Sequence, residues 1–169
     1  MERAVLEAEL RRMLAAGLGW ALVQTGWNRA EAEDVLQASV LKLLDGRARF
    51  DGRSSFRSFA LGVIRRTAQE RRRREVVRRL ILMRPAAQML DPVELPDAPT
   101  ARSSEAARLV AALSRLPARQ REILHLVFYG ELTIEEAARV AGVSLGTART
   151  HYARGKERLR ELLGAEDAR

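Results

Sequence analysis

Thr133-Ile-Glu-Glu136-Ala-Ala-Arg-Val-Ala-Gly142-Val-Ser144-Leu-Gly-Thr-Ala-Arg149-Thr-His-Tyr-Ala-Arg154 is the stretch that decides the fold. Thr133 with Glu136 three residues later is a capping box and opens a helix. Gly142 supplies a tight turn, and Ser144 caps a second helix that is expected to run to about Leu163-Gly164. At about 100° per residue, Ala148, Tyr152, Gly155, Leu159 and Leu162 share one face of that second helix and should point inward. Arg149, Thr150, Ala153 and Arg154 lie on the opposite face. Two short helices, a turn glycine and an outward cationic face make a helix-turn-helix, which places side chains in a DNA major groove. Arg149, Thr150, Ala153 and Arg154 are the candidate base readers, and Ser144, Thr147 and the first amides of the helix suit phosphate.

Working outward, the neighbouring helices read as one module of four. The first is expected over about 103–115, and the second begins at Pro117 and runs to Tyr129-Gly130. Upstream of them, Arg84 to Ser104 holds Pro85, Pro92, Pro96 and Pro99 with Asp91, Glu94 and Asp97. That density of proline forbids a continuous helix, so the segment reads as a flexible, locally acidic linker.

Before the linker, three helices are expected. Residues 3–24 are helical by composition, weakened towards the end by Gly17, Gly19 and Gly26. Asn28 with Glu31 reads as another capping box, followed by Ala32, Leu36, Ser39, Val40 and Leu43 at helical spacing. A third helix starts near Ser54 or Ser55, with Phe56, Phe59, Ala60, Val63, Ile64 and Thr67 as its core stripe; the stripe extends through Val76 and Leu80 if the helix is long. Phe50 sits in the preceding turn and is less committed to a core. The fold class is therefore all-α: two small helical domains, at 1–84 and 105–169, joined by a linker at 85–104.

Composition agrees with a polyanionic partner. The chain carries a formal charge of +8 and, of its 30 basic residues, only Lys42 and Lys156 are lysine. Arginine donates bidentately to phosphates and base edges, which suits nucleic acid, although a genome rich in G and C codons would also raise arginine. There is no cysteine, and the two histidines, His125 and His151, offer little to a metal. Without an acidic metal cluster or a phosphate-binding glycine loop, neither an enzyme nor a cofactor is expected. No apolar run approaches the roughly 20 residues that span a bilayer. The first residues alternate charge and apolar side chains, unlike a signal peptide, so a cytoplasmic protein without membrane insertion is expected.

A second basic segment stands apart from the helix-turn-helix. Arg65, Arg66 and Arg71–Arg74 follow Phe50-Asp-Gly-Arg53-Ser54-Ser55-Phe56-Arg57-Ser-Phe59, so rings and cations lie close together in sequence. That mixture suits single-stranded DNA, where bases stack on rings and phosphates find arginine.

In this order the segments resemble a known family. Ala30-Glu-Ala-Glu-Asp34-Val-Leu-Gln37, then Phe50–Phe59, then an arginine-rich helix, are similar to region 2 of bacterial sigma factors. Leu116-Pro-Ala-Arg-Gln-Arg-Glu-Ile-Leu124, Gly130-Glu-Leu-Thr-Ile-Glu-Glu-Ala-Ala138 and Ser144-Leu-Gly-Thr-Ala-Arg149 resemble region 4. Two such regions and a short linker, over about residues 10–163, resemble the extracytoplasmic-function, or group IV, sigma factors of the sigma-70 family.

The resemblance implies a factor that binds core RNA polymerase and directs promoter-specific initiation. Asp34, Gln37, Val40 and Leu41 match the surface that docks on the β′ clamp helices, and the helix opening at Pro117 matches part of the β-flap contact. Phe50, Arg53, Ser54, Ser55 and Arg57 match the element that opens the −10 region and captures a flipped base. Arg65, Arg66, Arg71, Arg72 and Arg73 match contacts to the −10 duplex. Ser144, Thr147, Arg149, Thr150, Ala153 and Arg154 match the −35 contacts. The linker would thread towards the RNA exit path, and an anti-sigma factor is an implied partner. Phe59 stands where relatives commonly have Trp, and Arg66 where they have Asn. Ala38-Ser39-Val40 replaces a Glu/Asp-Thr/Ala-Phe sequence, and His151 replaces a frequent Arg. The −10 preference of relatives therefore does not carry over. The competing reading is a stand-alone helix-turn-helix regulator acting on duplex DNA as a dimer.

Overall fold

The computed structural model describes residues 2–81 and 101–167. All regular structure among them is helical: α1 (Arg3–Gln24), α2 (Arg29–Leu44), α3 (Phe56–Ile81), α4 (Ala101–Ser114), α5 (Ala118–Phe128), α6 (Ile134–Ala141) and α7 (Leu145–Asp167). The chain divides into two compact units, Met1–Val93 and Glu94–Arg169. The expected acidic, proline-rich linker falls almost wholly outside the described residues, as does any path it takes.

In the first unit α1, α2 and α3 each pack against the other two. Trp20 is fully buried between them, and its Nε1–H donates to the Leu61 carbonyl at 3.0 Å. That bond satisfies the one polar atom of a large ring inside an apolar core. Gly17, expected only to weaken α1, permits this packing. A Cβ there would meet Leu36 Cδ1 at 3.0 Å and Ile64 Cδ1 at 3.3 Å, so its absence lets three helices approach.

Helix α2 starts as expected at Asn28, whose Oδ1 accepts from the Glu31 N–H at 3.0 Å. Only this half of the anticipated capping box is formed. The buried side chains of α2 are Ala32, Val35, Ser39 and Leu43, so the stripe is rotated slightly from the expected one and leaves Leu36 and Val40 half-buried. Ser39 is tolerated in the core because its hydroxyl donates back to the Val35 carbonyl at 2.7 Å. Lys42 bridges to α3, donating to Thr67 Oγ1 at 3.1 Å and Glu70 Oε2 at 2.7 Å. This hydrogen bond holds the Glu70 carboxyl below its ordinary value despite some desolvation.

Helix α3 is as long as the arginine-rich sequence suggests, but its apolar stripe changes character along the way. Ala60, Leu61, Val63, Ile64, Thr67 and Ala68 are buried. From Arg71 to Ile81 every residue is exposed, including Val76 and Leu80, through which the stripe is expected to extend; at about 100° per residue both fall on the face opposite Thr67. The helix outruns α1 and α2, so among the described residues its last three turns have no helix of the unit to pack against.

In the second unit α7 contacts α4, α5 and α6, and α5 also packs on α6. Gly155 lets α7 sit close to α5, since a Cβ there would meet Leu124 Cδ1 at 3.1 Å and Gln120 Cβ at 3.2 Å. Pro117 is the N-cap of α5 rather than its first helical residue. Arg121 donates to the Ser114 and Leu116 carbonyls at the end of α4, and Arg119 to the Ala141 carbonyl at the end of α6. Burial pulls the Arg121 guanidinium below its ordinary value. Helix α7 continues through Gly164 to Asp167 because Gly164 keeps a negative φ and offers no left-handed stop.

Candidate nucleic-acid and polymerase surfaces

The helix-turn-helix forms as its sequence specifies. Thr133 Oγ1 accepts from the Glu136 N–H at 3.2 Å and the Glu136 carboxylate accepts from the Thr133 N–H at 3.0 Å, completing the capping box. Gly142 ends α6 with φ 65 and ψ 41, the left-handed conformation in which a Cβ is penalised. Ser144 Oγ then accepts from the Thr147 N–H at 3.1 Å and starts α7.

Ala148, Gly155 and Leu162 are buried and Tyr152 and Leu159 half-buried, so the expected inner face is the inner face. Arg149, Thr150, Ala153 and Arg154 are all exposed on the other side, within about the first three turns from the capped N-terminus. The Thr150 hydroxyl donates to the Gly146 carbonyl at 3.0 Å, so its proton is engaged and its oxygen is left as an acceptor. Ser144 Oγ and Thr147 Oγ1 lie 2.8 Å apart, both exposed beside the first amides of the helix. One end of one helix thus carries two arginine forks, two hydroxyls and the positive end of the macrodipole.

In the first unit, Phe50, Phe56 and Phe59 form a single aromatic cluster, with ring centroids at 5.6, 5.4 and 6.5 Å. All three rings are half-buried, so Phe56 and Phe59 are not the core residues that their spacing suggests. Phe50 folds back from the turn and shields them. The turn is held by Gly52 at φ 78, by Asp51 Oδ1 accepting from the Arg53 N–H at 3.1 Å, and by Ser55 Oγ accepting from the Ser58 N–H at 3.2 Å. Arg53 is almost entirely exposed beside this cluster.

Arg65, Arg66 and Arg71–Arg73 do not join that cluster. They extend from it along α3, and Arg73 lies about 25 Å from Phe56 at 1.5 Å rise per residue. The result is a basic track that starts at an aromatic patch, not one compact site. Arg65 is half-buried and the others are exposed.

On α2, Asp34, Gln37 and Leu41 are exposed and Val40 is half-buried, forming a mixed polar and apolar strip. Asp34 Oδ2 accepts from the Arg71 guanidinium at 2.9 Å. Sequence reasoning separated these two residues into different surfaces and missed that they touch. Residues 37 positions apart leave no periodic signal, and only the packing of α2 on α3 brings them together. Both side chains are about half exposed, so the pair adds little stability.

Comparison with known proteins agrees with both units. The description "Sigma-70 region 2" matches residues 11–78, and "Sigma-70, region 4" matches residues 112–161. The RNA polymerase sigma factor CarQ of Myxococcus xanthus is 32% identical over 142 residues, covering 81% of this chain and 77% of CarQ. The ECF RNA polymerase sigma factor RpoE of Cereibacter sphaeroides is 40% identical over 57 residues, a match that spans 34% of this chain and only about a third, 32%, of that protein. Among solved structures, the sigma factor RpoE of Bartonella quintana, crystallised with the anti-sigma factor NepR, superposes with a TM-score of 0.76 at 24% identity, covering 94% of this chain and 96% of that one. CnrH, solved with the cytosolic domain of CnrY, gives a TM-score of 0.65 at 20% identity over 97% of this chain and 90% of that one. At those identities the two structures speak to the fold. With both sigma-70 regions in order and CarQ matched over most of its length, the chain belongs to the sigma-70 family of RNA polymerase sigma factors, in the extracytoplasmic-function group.

Proposed function

We propose that this chain binds core RNA polymerase and directs initiation at promoters read in two places. The observation that carries the proposal is the pairing, in one chain, of two unlike DNA surfaces. One is a duplex reader at the start of α7, and the other is an aromatic and basic element at the start of α3. A duplex reader needs exposed arginine forks at a helix N-terminus, which Arg149 and Arg154 supply for a −35 element. A melting element needs rings that accept an unstacked base and cations for its phosphates, which Phe50, Arg53, Ser54, Ser55 and Arg57 offer at −10. Arg65, Arg66, Arg71, Arg72 and Arg73 then track the adjoining duplex. Asp34, Gln37, Val40 and Leu41 dock on the β′ clamp helices, and the α5 surface contributes to the β-flap contact.

The chain acts by binding and not by catalysis, and it works in the cytoplasm, where its polymerase is. No helix among the described residues is long and apolar enough to cross a membrane. An anti-sigma factor that masks these surfaces is the expected regulator, since one structural neighbour was solved with such a partner, NepR. A stand-alone helix-turn-helix regulator would leave the aromatic and basic surface of the first unit without a role.

The test is reconstitution. The purified chain added to core polymerase should produce transcripts from a specific start on supercoiled template. Tight binding to duplex DNA without polymerase, and no transcript with it, would refute the proposal.

A further inference from the structure

Gly62 stands in the interior of α3 with neither packing nor backbone shape to call for it. A Cβ there would meet no atom within 4 Å, whereas one at Gly17 or Gly155 would press on a neighbouring helix. Its φ is not positive, so no left-handed turn requires glycine either. Glycine is nonetheless the poorest helix former after proline. A helix that keeps one, with nothing of its own in the gap, leaves room for something from outside.

At about 100° per residue, Gly62 lies near the middle of the face of α3 that turns away from the buried Ala60, Ile64 and Thr67. Phe59 flanks it one turn before, and Arg66 one turn after. Gly62 is therefore the floor of a notch about 10 Å long. The cluster of Phe50, Phe56 and Phe59 stands at one end and a guanidinium at the other. Arg66 is exposed, and Glu70, one turn further on, is taken up by Lys42 at 2.7 Å. The Arg66 fork is thus free among the described residues, unlike that of Arg71, which Asp34 engages at 2.9 Å.

A strand of nucleic acid can sit closer to a bare helix backbone than to one covered by side chains. An arginine one turn away then reaches past the sugar-phosphate edge to the bases. Arginine donates bidentately to O6 and N7 of guanine, and no other base presents two adjacent acceptors in the major groove.

We propose that Gly62 and Arg66 form a base-reading site within the −10 surface. Gly62 is a positioning residue that admits the DNA strand, and Arg66 selects a guanine in the duplex beside the melted segment. The assignment rests on the function proposed above and deepens it, by separating one reader from arginines that contact phosphate alone.

The test uses the full chain with core polymerase and templates randomised through the −10 block. Transcripts should be enriched in guanine at one position by at least about fivefold, the lower end of what a bidentate arginine contact selects. Arg66→Asn should move that preference to adenine, whose N6 and N7 suit the amide. Arg72→Gln, which removes the same charge, should lower output on all templates alike. For Gly62→Ala, stability and output should move in opposite directions. The chain's two tryptophans, Trp20 and Trp27, both lie in the first unit, so indole fluorescence reads its melting alone. The midpoint should rise by about 4–8 °C as a helix-interior glycine is replaced. Output should fall at least about fivefold as the contact is lost, with assembly on core polymerase by native gel shift unchanged.

A Gly62→Ala chain that transcribes as well as the unaltered one would overturn the proposal, as would guanine selection that survives Arg66→Asn. A lowered midpoint would mean that the gap belongs to the packing, and loss of assembly would place Gly62 on a polymerase contact; either overturns it. No transcript from the unaltered chain would refute the proposed function, and this assignment with it.

Discussion

Arg154 is exposed on the outer face of α7, nearly three turns in from the Ser144 cap, and is proposed above to read a base edge. A bidentate arginine contact to guanine discriminates by roughly 1–3 kcal/mol. Arg154→Ala should therefore relax selection at a single −35 position by that amount, measured by competition among promoter variants. A uniform loss across all variants would show a phosphate contact instead. His125 illustrates a residue whose role is structural. It is buried in α5, stacked on Tyr129 with ring centroids 5.2 Å apart, and burial pulls its pKa from 6.5 down to about 4. The unfolded chain therefore takes up a proton at a higher pH than the folded one. Stability of the second unit should be full above pH 6.5 and fall as pH drops towards 4, by up to roughly 3 kcal/mol. Urea melts across that range check it, and His125→Leu should flatten the profile. A melt that gains stability on acidification would contradict the burial of a neutral ring.

At the scale of elements, the turn between α6 and α7 is where local chemistry and function meet. The orientation of the reading helix depends on Gly142 holding φ 65, which costs a side chain about 1–2 kcal/mol. Gly142→Ala should destabilise the unit by about that amount, and Gly142→Asn by less, because asparagine tolerates this conformation better. Equal losses would point to lost space rather than to backbone strain. Helices of this kind were legible in the sequence because their signals are local. The Thr133–Glu136 box, the glycine turn, the Ser144 cap and the inner face of α7 all lie within a few residues of one another. What the sequence hid is tertiary. Phe50, Phe56 and Phe59 meet only when the turn folds back, and the Asp34–Arg71 pair exists only because α2 packs on α3. Val76 and Leu80 lie about 180° and 220° around the helix from Thr67, so extending the buried stripe to them breaks the helical period, and their exposure follows from both that face and the end of the neighbouring helices. Gly17 reads locally as a weakness in α1 and serves as the contact point of three helices.

At the scale of the whole molecule, the chain forms two compact units, to which the proposed function gives complementary tasks. Each DNA surface alone is modest: a short arginine-bearing helix in one unit, and an aromatic patch with a basic track in the other. Holding both against one promoter would multiply their separate preferences, which is the reason to expect strong selectivity only when polymerase fixes both. Replacing Asp34 with Asn and Gln37 with Ala should weaken assembly with core polymerase at least severalfold by native gel shift while leaving thermal unfolding within about 0.5 kcal/mol, as for other surface substitutions. A matching collapse in stability would mean that the pair supports the fold instead of a partner.

The central claim is two-point reading in the presence of polymerase, and selection from a randomised promoter library tests it most directly. Transcripts made by the chain with core polymerase should come from templates enriched in two separated sequence blocks. Arg149→Ala and Arg154→Ala should change the upstream block alone. Enrichment of a single block, unchanged when core polymerase is left out and binding is selected in its place, would contradict the account.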